Sequence, residues 1–511
     1  MKKTLFHRIL YAFLIIAVLS FSGCSGSDND QDSQTSESPE KNEHVSISLP
    51  GCSIEDARIL AEGGSVSGEV RGIWIASVYN INFPSAPDLS DNELRDELDT
   101  IVASALSHNM NTIYFQVHPS SDSLYKSDIF PVSKYLFTDG VLHFDPLAYM
   151  SEICTQNNID LFAWVNPLRV TVDPAKTEEL SRKMLHPDSP GLREDLTEFF
   201  GDGKLYFNCG NEEVRTLVAD VVTEIMEGYN IAGVVFDDYF YPYPANDANG
   251  VSFTFDDGDE YKASGTDMSL EDWRRDNVNR MINLCYKRVK SFGDNKKFGV
   301  APCGIWQNDN GVNGGSDTTG LEGYSALFCD ASAWISGGYI DFISPQLYWE
   351  CSSRAAAFPV LAEFWDSMVS GTDVKLIISH GIYRYDNDWK NPSGELCRQI
   401  DIARSLSSYS GSMLYGYAAL ESNVNGAAYD TDESFLGEVY HYTASDSNKD
   451  KTQTVLFSGR FNDDKPLFIN GVSVTKGHSG FFESELTLVP GTNIFTFVNG
   501  DKTVKLQIIK K

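Results

Sequence analysis

Short apolar runs alternate with longer amphipathic stretches from about Val70 to Leu420. The runs "VRGIWIAS" (Val70–Ser77), "NTIYFQV" (Asn111–Val117), "IDLFAWV" (Ile159–Val165) and "IAGVVFD" (Ile231–Asp237) come first. "KFGVAP" (Lys297–Pro302), "IDFISPQLY" (Ile340–Tyr348), "VKLIISHGI" (Val374–Ile382) and "GSMLYGYA" (Gly411–Ala418) follow. They are mostly continuous rather than alternating, the pattern of parallel strands covered on both faces. The stretches between them have helical period. Ser90 and Glu93 form a capping-box pair ahead of the stripe Leu94, Leu98, Ile101, Val102 and Ala105. The stripe Val214, Leu217, Val218, Val221 and Ile225 marks a second helix. Val278, Met281, Ile282, Cys285 and Val289, again after a capping-box pattern at Ser269, mark a third. Eight strand–helix units predict an α/β fold, a (β/α)8 TIM-like barrel over residues 67–440. The Gly-rich dinucleotide fingerprint of an open doubly wound sheet is absent.

The period changes after the barrel. "TASDSNKDKTQT" reads as a polar linker, with its boundary drawn over residues 441–453, and residues 454–511 carry short alternating strands joined at Asn-Gly and Pro-Gly turns. They predict a small C-terminal β-sandwich of immunoglobulin-like type. At the other end, a basic start and the apolar run "ILYAFLIIAVLSF" lead to "FSGC". That pattern resembles a lipoprotein signal over residues 1–23, with Cys24 as the acylated residue; a plain secretory signal or a retained anchor is the alternative. All three place the protein outside the cytoplasm, and lipidation would hold it at the outer membrane or the outer face of the cell membrane. The polar, acidic stretch 24–66 reads as a disordered tether and lead-in.

Forty Lys and Arg against 72 Asp and Glu give a net charge of −32, and no basic stripe is visible, so nucleic acid is not an expected partner. Apart from Cys24, eight cysteines are scattered without metal-like spacing; most read as small buried apolar groups, with one or two disulfides of unassigned pairing as the alternative outside the cytoplasm. The histidines fall on separate segments and no HExxH or GxSxG motif occurs, so no metal or other cofactor and no serine nucleophile is expected.

In a TIM barrel the chemistry sits at the C-terminal strand ends. Here those ends carry Gln116, His118 and Asp122; Asn166 and Arg169; the acid pair Asp237 and Asp238 followed by Tyr239 and Tyr241; Trp306; and Gln346, Tyr348, Trp349 and Glu350. Aromatic faces with sparse amides and carboxylates suit sugar rings. Two carboxylates divide acid and base or nucleophile duties on a glycosidic bond when their pKa values are separated. Alternation along a strand points consecutive side chains in opposite directions, so Asp237 and Asp238 can serve one site only if the strand ends before them.

The pieces "RGIWIASVYNINFPS", "YFQVHPSSDSLYKSDIFPVSKYL", "FDPLAYM", "LFAWVNP", "FDDYFYP", "APCGIW" and "SPQLYW", in this order, resemble the bacterial glycosyl-hydrolase-like family ten. The resemblance spans roughly residues 70–420. It implies a TIM-like barrel on a lipoprotein and, from at least one branch, cleavage of peptidoglycan glycan strands that lack stem peptides. It implies functional roles for Asp237 and Asp238, with Gln116, Asp122, Asn166, Tyr239, Trp306, Gln346 and Tyr348 lining the cleft. His118 departs from the pattern, standing where the family motif has an arginine. Glu350 lies outside the matching pieces and is the leading candidate for a second catalytic carboxylate, with Asp122 behind it. The expected activity is glycoside hydrolysis. The rivals are a non-catalytic glycan-binding lipoprotein and a metal-dependent polysaccharide deacetylase.

Overall fold

The computed structural model describes residues 68–435, except 312, 313, 387, 390 and 391, and the outlying stretches 43–44, 54–60, 453–460, 465–476, 481–500 and 502–510. The apolar N-terminal run, Cys24 and most of the polar linker lie outside the described residues. Among the described residues, no helix is long and apolar enough to cross a membrane.

Eight parallel strands close into a barrel: β1 (Val70–Ile75), β2 (Thr112–His118), β3 (Asp160–Val165), β4 (Gly233–Phe236), β5 (Lys297–Val300), β6 (Phe342–Ile343), β7 (Lys375–Gly381) and β8 (Tyr409–Tyr415). Pairing runs in chain order, with β8 on β1 completing the ring. Helices follow the strands: α1 (Asp91–Ser107), α2 (Pro146–Gln156), α3 (Glu212–Gly228), α4 (Leu270–Lys290), α5 (Ala331–Ser336), α6 (Phe358–Val369), α7 (Glu395–Arg404) and α8 (Ala427–Phe435). Each strand predicted from the apolar runs is present. β6 is much shorter than its run, because Pro345 has no N–H to give the ladder. Beyond it, only isolated bridges at Gln346 continue toward Cys303 and Ser379.

Two apolar layers explain the continuous runs. Trp74, Tyr114, Phe162, Trp164, Phe342 and Met413 fill the barrel interior. Ile113, Phe115 and Val117 of β2 turn outward and pack under the helices. The helix caps follow the sequence. At α1 the capping box forms in both directions, and the stripe from Leu94 to Ala105 is buried. At α4 only the forward half is seen, Ser269 accepting from the Asp272 N–H; the short Asp272 side chain is held by the Ser269 hydroxyl and by Arg275. Gly233 is required where β4 meets β5, since a Cβ there would lie 1.7 Å from the Lys297 carbonyl oxygen.

Outside the barrel the strands are antiparallel. Lys502–Lys510 pairs with Gly491–Asn499 on one side and with Ile54–Leu60 on the other, and Gln453–Arg460 pairs with Phe481–Leu488. Ile54–Leu60 lies inside the stretch read as tether and lead-in, so that stretch contributes a strand. Its residues alternate imperfectly, and its partner comes from the opposite end of the chain.

Candidate active site

β4 stops at Phe236, so the strand alternation that would separate Asp237 from Asp238 ends before them. Both side chains are buried, each residue only 4% exposed. A line of amides fixes the first. Gln116 Oε1 accepts from the backbone N–H groups of Ser77 and Val78, each at 2.9 Å. Its Nε2 donates to Asn166 Oδ1 at 2.5 Å, and Asn166 Nδ2 donates in turn to Asp237 Oδ2. The Trp164 indole N–H donates to the same oxygen at 3.0 Å. Asp237 Oδ1 receives only the long Tyr239 N–H, at 3.3 Å. Asp238 has different neighbours: Tyr243 donates its hydroxyl to Oδ2, and the Gln346 side chain hydrogen-bonds the same carboxyl. Gln346 also donates to the Ala301 carbonyl at 2.9 Å, which ties it to the end of β5.

These surroundings separate the two acids. Burial, reinforced by the charge of Asp238, lifts Asp237 to about 7, against the opposing pull of Arg169, Trp164 and the Tyr239 N–H. Burial raises Asp238 as well, while Tyr243 and Gln346 hold its charged form. Arg169 connects the pair to its surroundings. Its guanidinium hooks the Pro119 carbonyl at 2.9 and 2.7 Å and lies 4.7 Å from the centre of the Tyr239 ring.

Aromatic rings wall the site. Tyr348 stacks on Tyr415 at 5.7 Å with 11° between planes, and Tyr383 meets both edge-on. Tyr415 in turn meets Trp164 edge-on at 6.5 Å. Gly381 makes this possible, because a Cβ there would sit 2.9 Å from the Tyr348 ring. Tyr239 and Tyr243 pack together at 5.5 Å, and the Tyr243 hydroxyl reaches Asp238.

Gln116, Asn166, Arg169, Asp237, Asp238, Tyr239, Gln346 and Tyr348 thus converge. The other strand-end candidates stand apart. Asp122 lines a neighbouring cavity, its Oδ1 accepting from the Ser120 hydroxyl at 3.1 Å; burial raises its pKa. The register of β2 against β3 shifts between Gln116 and His118. This irregularity breaks the two-residue parity that would aim both side chains the same way. His118 instead packs its ring 4.6 Å from Phe130, and burial lowers its pKa to about 4. It is therefore a buried neutral ring, unlike the always-charged arginine of the family motif.

Tyr241 lies in the layer beneath the helices, with its hydroxyl 3.3 Å from Asp257 and its ring against Phe255 and Phe328. Trp306 and Trp349 belong to that layer too, Trp306 stacking on Phe364 of α6. Glu350 is half-buried on the loop from β6 to α6, where its carbonyl accepts from Ser353 and Phe358. The structure does not bring Tyr241, Trp306 and Trp349 into the group around the acid pair; their strand-end positions were correct, but the loops aim them elsewhere. Conversely, sequence reasoning passed over Tyr243, Tyr415 and the backbone of Ser77 and Val78. Tyr243 could have been found, since it sits in the same "DDYFYPYP" stretch.

A deacetylase would need a histidine beside the acids. His380 has both ring nitrogens engaged, by Gln399 and by Ser412, each at 2.9 Å. Among the described residues, a group that converges closely enough for a cation is Cys397, Asp430 and Glu433, which belongs to α7 and α8 rather than to the strand ends. The seven described cysteines are all free thiols, four of them buried.

Residues 69–392 match the family described as glycosyl hydrolase-like 10. The glycosyl hydrolase YngK of Bacillus subtilis is 35% identical over 370 residues, 70% of each chain. The glycosyl hydrolase DigH of Escherichia coli K12 is 31% identical over 372 residues, covering 68% of this chain and 83% of DigH. Among solved structures, the glycoside hydrolase domain of PgaB (BpsB) from Bordetella bronchiseptica aligns with a TM-score of 0.45 and 13% identity, over 72% of this chain and 99% of that one. With a closed barrel, an acid pair beyond β4 and a match covering most of the barrel, the chain belongs to the glycosyl hydrolase-like 10 family.

Proposed function

We propose that the protein hydrolyses glycosidic bonds of a bacterial glycan, namely peptidoglycan strands stripped of their stem peptides. One observation carries this reading: two buried carboxyls just past the end of β4 have separate hydrogen-bond partners, and Asp237 is lifted to about 7. Oδ2 of Asp237 already accepts two N–H groups, so a proton on this carboxyl belongs on Oδ1, which is the less occupied oxygen. From there it passes to the glycosidic oxygen as the C–O bond breaks. Asp238, whose charged form Tyr243 and Gln346 favour against burial, supports the positive charge developing at the anomeric carbon, and water supplies the new hydroxyl there while its released proton returns to Asp237. The stacked Tyr348 and Tyr415 offer flat apolar contact to the sugar.

The peptide-free substrate follows from the family resemblance, as does attachment through an acylated Cys24 at the outer membrane or the outer face of the cell membrane. On this reading the antiparallel strands at the C-terminus form an immunoglobulin-like module on the same anchored protein. Incubating the protein with purified peptide-free strands should release soluble fragments with new reducing ends, read by mass spectrometry. Strands that bind but gain no reducing ends would overturn the hydrolase reading. Incorporation of labelled palmitate that is lost in Cys24→Ala tests the anchor; labelling that persists would exclude this site.

A further inference from the structure

A cavity of about 290 Å³ opens between the loops that follow β2 and β3, lined in part by Ser120, Asp122, Lys134, Tyr135, Val172 and Asp173. Its volume is near the lower end of the ligand-site range, about 300–1,000 Å³, and suits one ring rather than a run of several. Arg169 reaches toward both regions: its guanidinium holds the Pro119 carbonyl, next to Ser120 of the cavity, and lies 4.7 Å from the centre of the Tyr239 ring, next to Asp238, so the cavity lies near the acid pair.

Tyr79 stands at the rim. Tyr79 is 49% exposed; its ring meets Tyr135 edge-on at 6.0 Å, while its hydroxyl donates to the Val172 carbonyl at 2.8 Å. Both contacts are lining residues of the cavity. The backbone there is left-handed at two successive non-glycine residues, Tyr79 (φ 55°) and Asn80 (φ 54°). Such a conformation is uncommon for non-glycine residues and persists only where the surroundings enforce it. Here Asn80 Nδ2 donates to the carbonyls of Pro84 and Tyr135, at 2.8 and 2.9 Å. Gln116, which is also part of the amide line to Asp237, pins Ser77 and Val78 just before. The loop is thus held in an unfavourable conformation that leaves Tyr79 half-exposed beside a polar cavity.

The charges of the cavity select what can occupy it. Asp122, Asp139 and Asp173 line it against Lys134, which is paired with Asp173 at 3.3 Å, and His186, which lies 3.7 Å from Asp188; Arg169 offsets part of the Asp122 charge. A carboxylate-bearing ring would meet like charge, whereas a neutral ring presents hydroxyl and amide N–H donors to Asp122. We propose that the Tyr79 ring and the Asp122 cavity form a subsite that takes one neutral 2-acetamido pyranose of the glycan and excludes the alternate sugar that carries a lactyl carboxylate. This rests on the hydrolase reading for the glycan and sets which sugar of the alternating strand lies next to the acids.

The test uses the full chain with two probes: a neutral tetramer of β-linked 2-acetamido sugars, and peptide-free strand fragments. Tyr79→Gly removes the ring and suits the left-handed backbone, and its melting temperature checks that the variant is folded. Asp122→Asn keeps the side-chain shape. Each variant should weaken calorimetric binding of the neutral tetramer about tenfold and raise KM on the strands about tenfold, with kcat within about threefold. The parent should bind the neutral tetramer more tightly than a tetramer bearing lactyl carboxylates. Binding and KM within about twofold of the parent in both variants would overturn the subsite, as would a preference for the carboxylate-bearing probe. The calorimetric arm needs no turnover, so a protein that binds the tetramer through Tyr79 and Asp122 but releases no fragments would sink the hydrolase reading and leave the subsite standing.

Discussion

Trp164 donates its indole N–H to Asp237 at 3.0 Å, and the same ring is part of the apolar filling of the barrel. The interior packing therefore sets the position of the carboxyl that lies above it. An N–H donor favours the charged form of a carboxyl. Trp164→Phe should therefore raise the Asp237 pKa further, move the alkaline limb of the kcat–pH profile upward, and lower kcat about tenfold through loss of positioning. An unchanged limb with an unchanged kcat would show that the indole only fills space.

The raised pKa of Asp237 also sets the pH response of the parent. As proton donor it must be protonated, so kcat/KM should fall as pH rises through about 7. Stability follows the same group with the same sign. Between the ordinary aspartate value near 4 and about 7, the folded state holds a proton that the unfolded chain has released, so stability declines as pH rises across that window. Asp237→Asn should flatten this decline; chemical denaturation at several pH values measures it.

A second titration lies far from the site. His108, at the C-terminal end of α1, pairs with Asp432 of α8 and joins the first helix of the barrel to the last. Burial works against its charged form, but Asp432 and Glu421 outweigh that and raise its pKa. The pair's contribution is thus complete below the ordinary histidine value of about 6.5 and is lost as pH rises through the higher folded value. The gap in melting temperature between parent and His108→Asn should be widest in mild acid and close with rising pH. A gap that widens with pH would contradict the pairing.

Gly233→Ala tests the strand contact beneath the acids. The added Cβ would fall 1.7 Å from the backbone oxygen of Lys297, which no rotamer change relieves. The expected loss is about 3 kcal/mol or more, seen as a lower denaturant midpoint. An unchanged midpoint would mean that β4 and β5 are not so closely apposed.

Much of this could be read in the chain before folding. The interior and helix-facing residues of β2 are both apolar, so the run around Tyr114 and Phe115 is continuous and the barrel pattern shows through. Asp237, Asp238, Asn166 and Gln116 were legible because strand tips in this fold converge on one mouth. The loops were not legible in the same way. Tyr241 and Trp349 sit at the right strand ends, yet they turn into the helix layer, a direction set by tertiary packing rather than local period. His118 was misplaced by a single β2 irregularity that reverses side-chain parity. Tyr415 carries no polar signal of its own; only its stack on Tyr348 reveals it. The pairing of Ile54–Leu60 with Lys502–Lys510 joins opposite ends of the sequence, and no local pattern encodes it.

The central claim is that Asp237 gives the proton when a glycosidic bond breaks. Its most direct test is the rate of reducing-end release from peptide-free strands by Asp237→Asn, with strand binding measured alongside. A loss of about 10³-fold or more in kcat, roughly 4 kcal/mol of barrier, with binding retained, is the predicted result. Release at the parent's rate by the fully folded variant would contradict it.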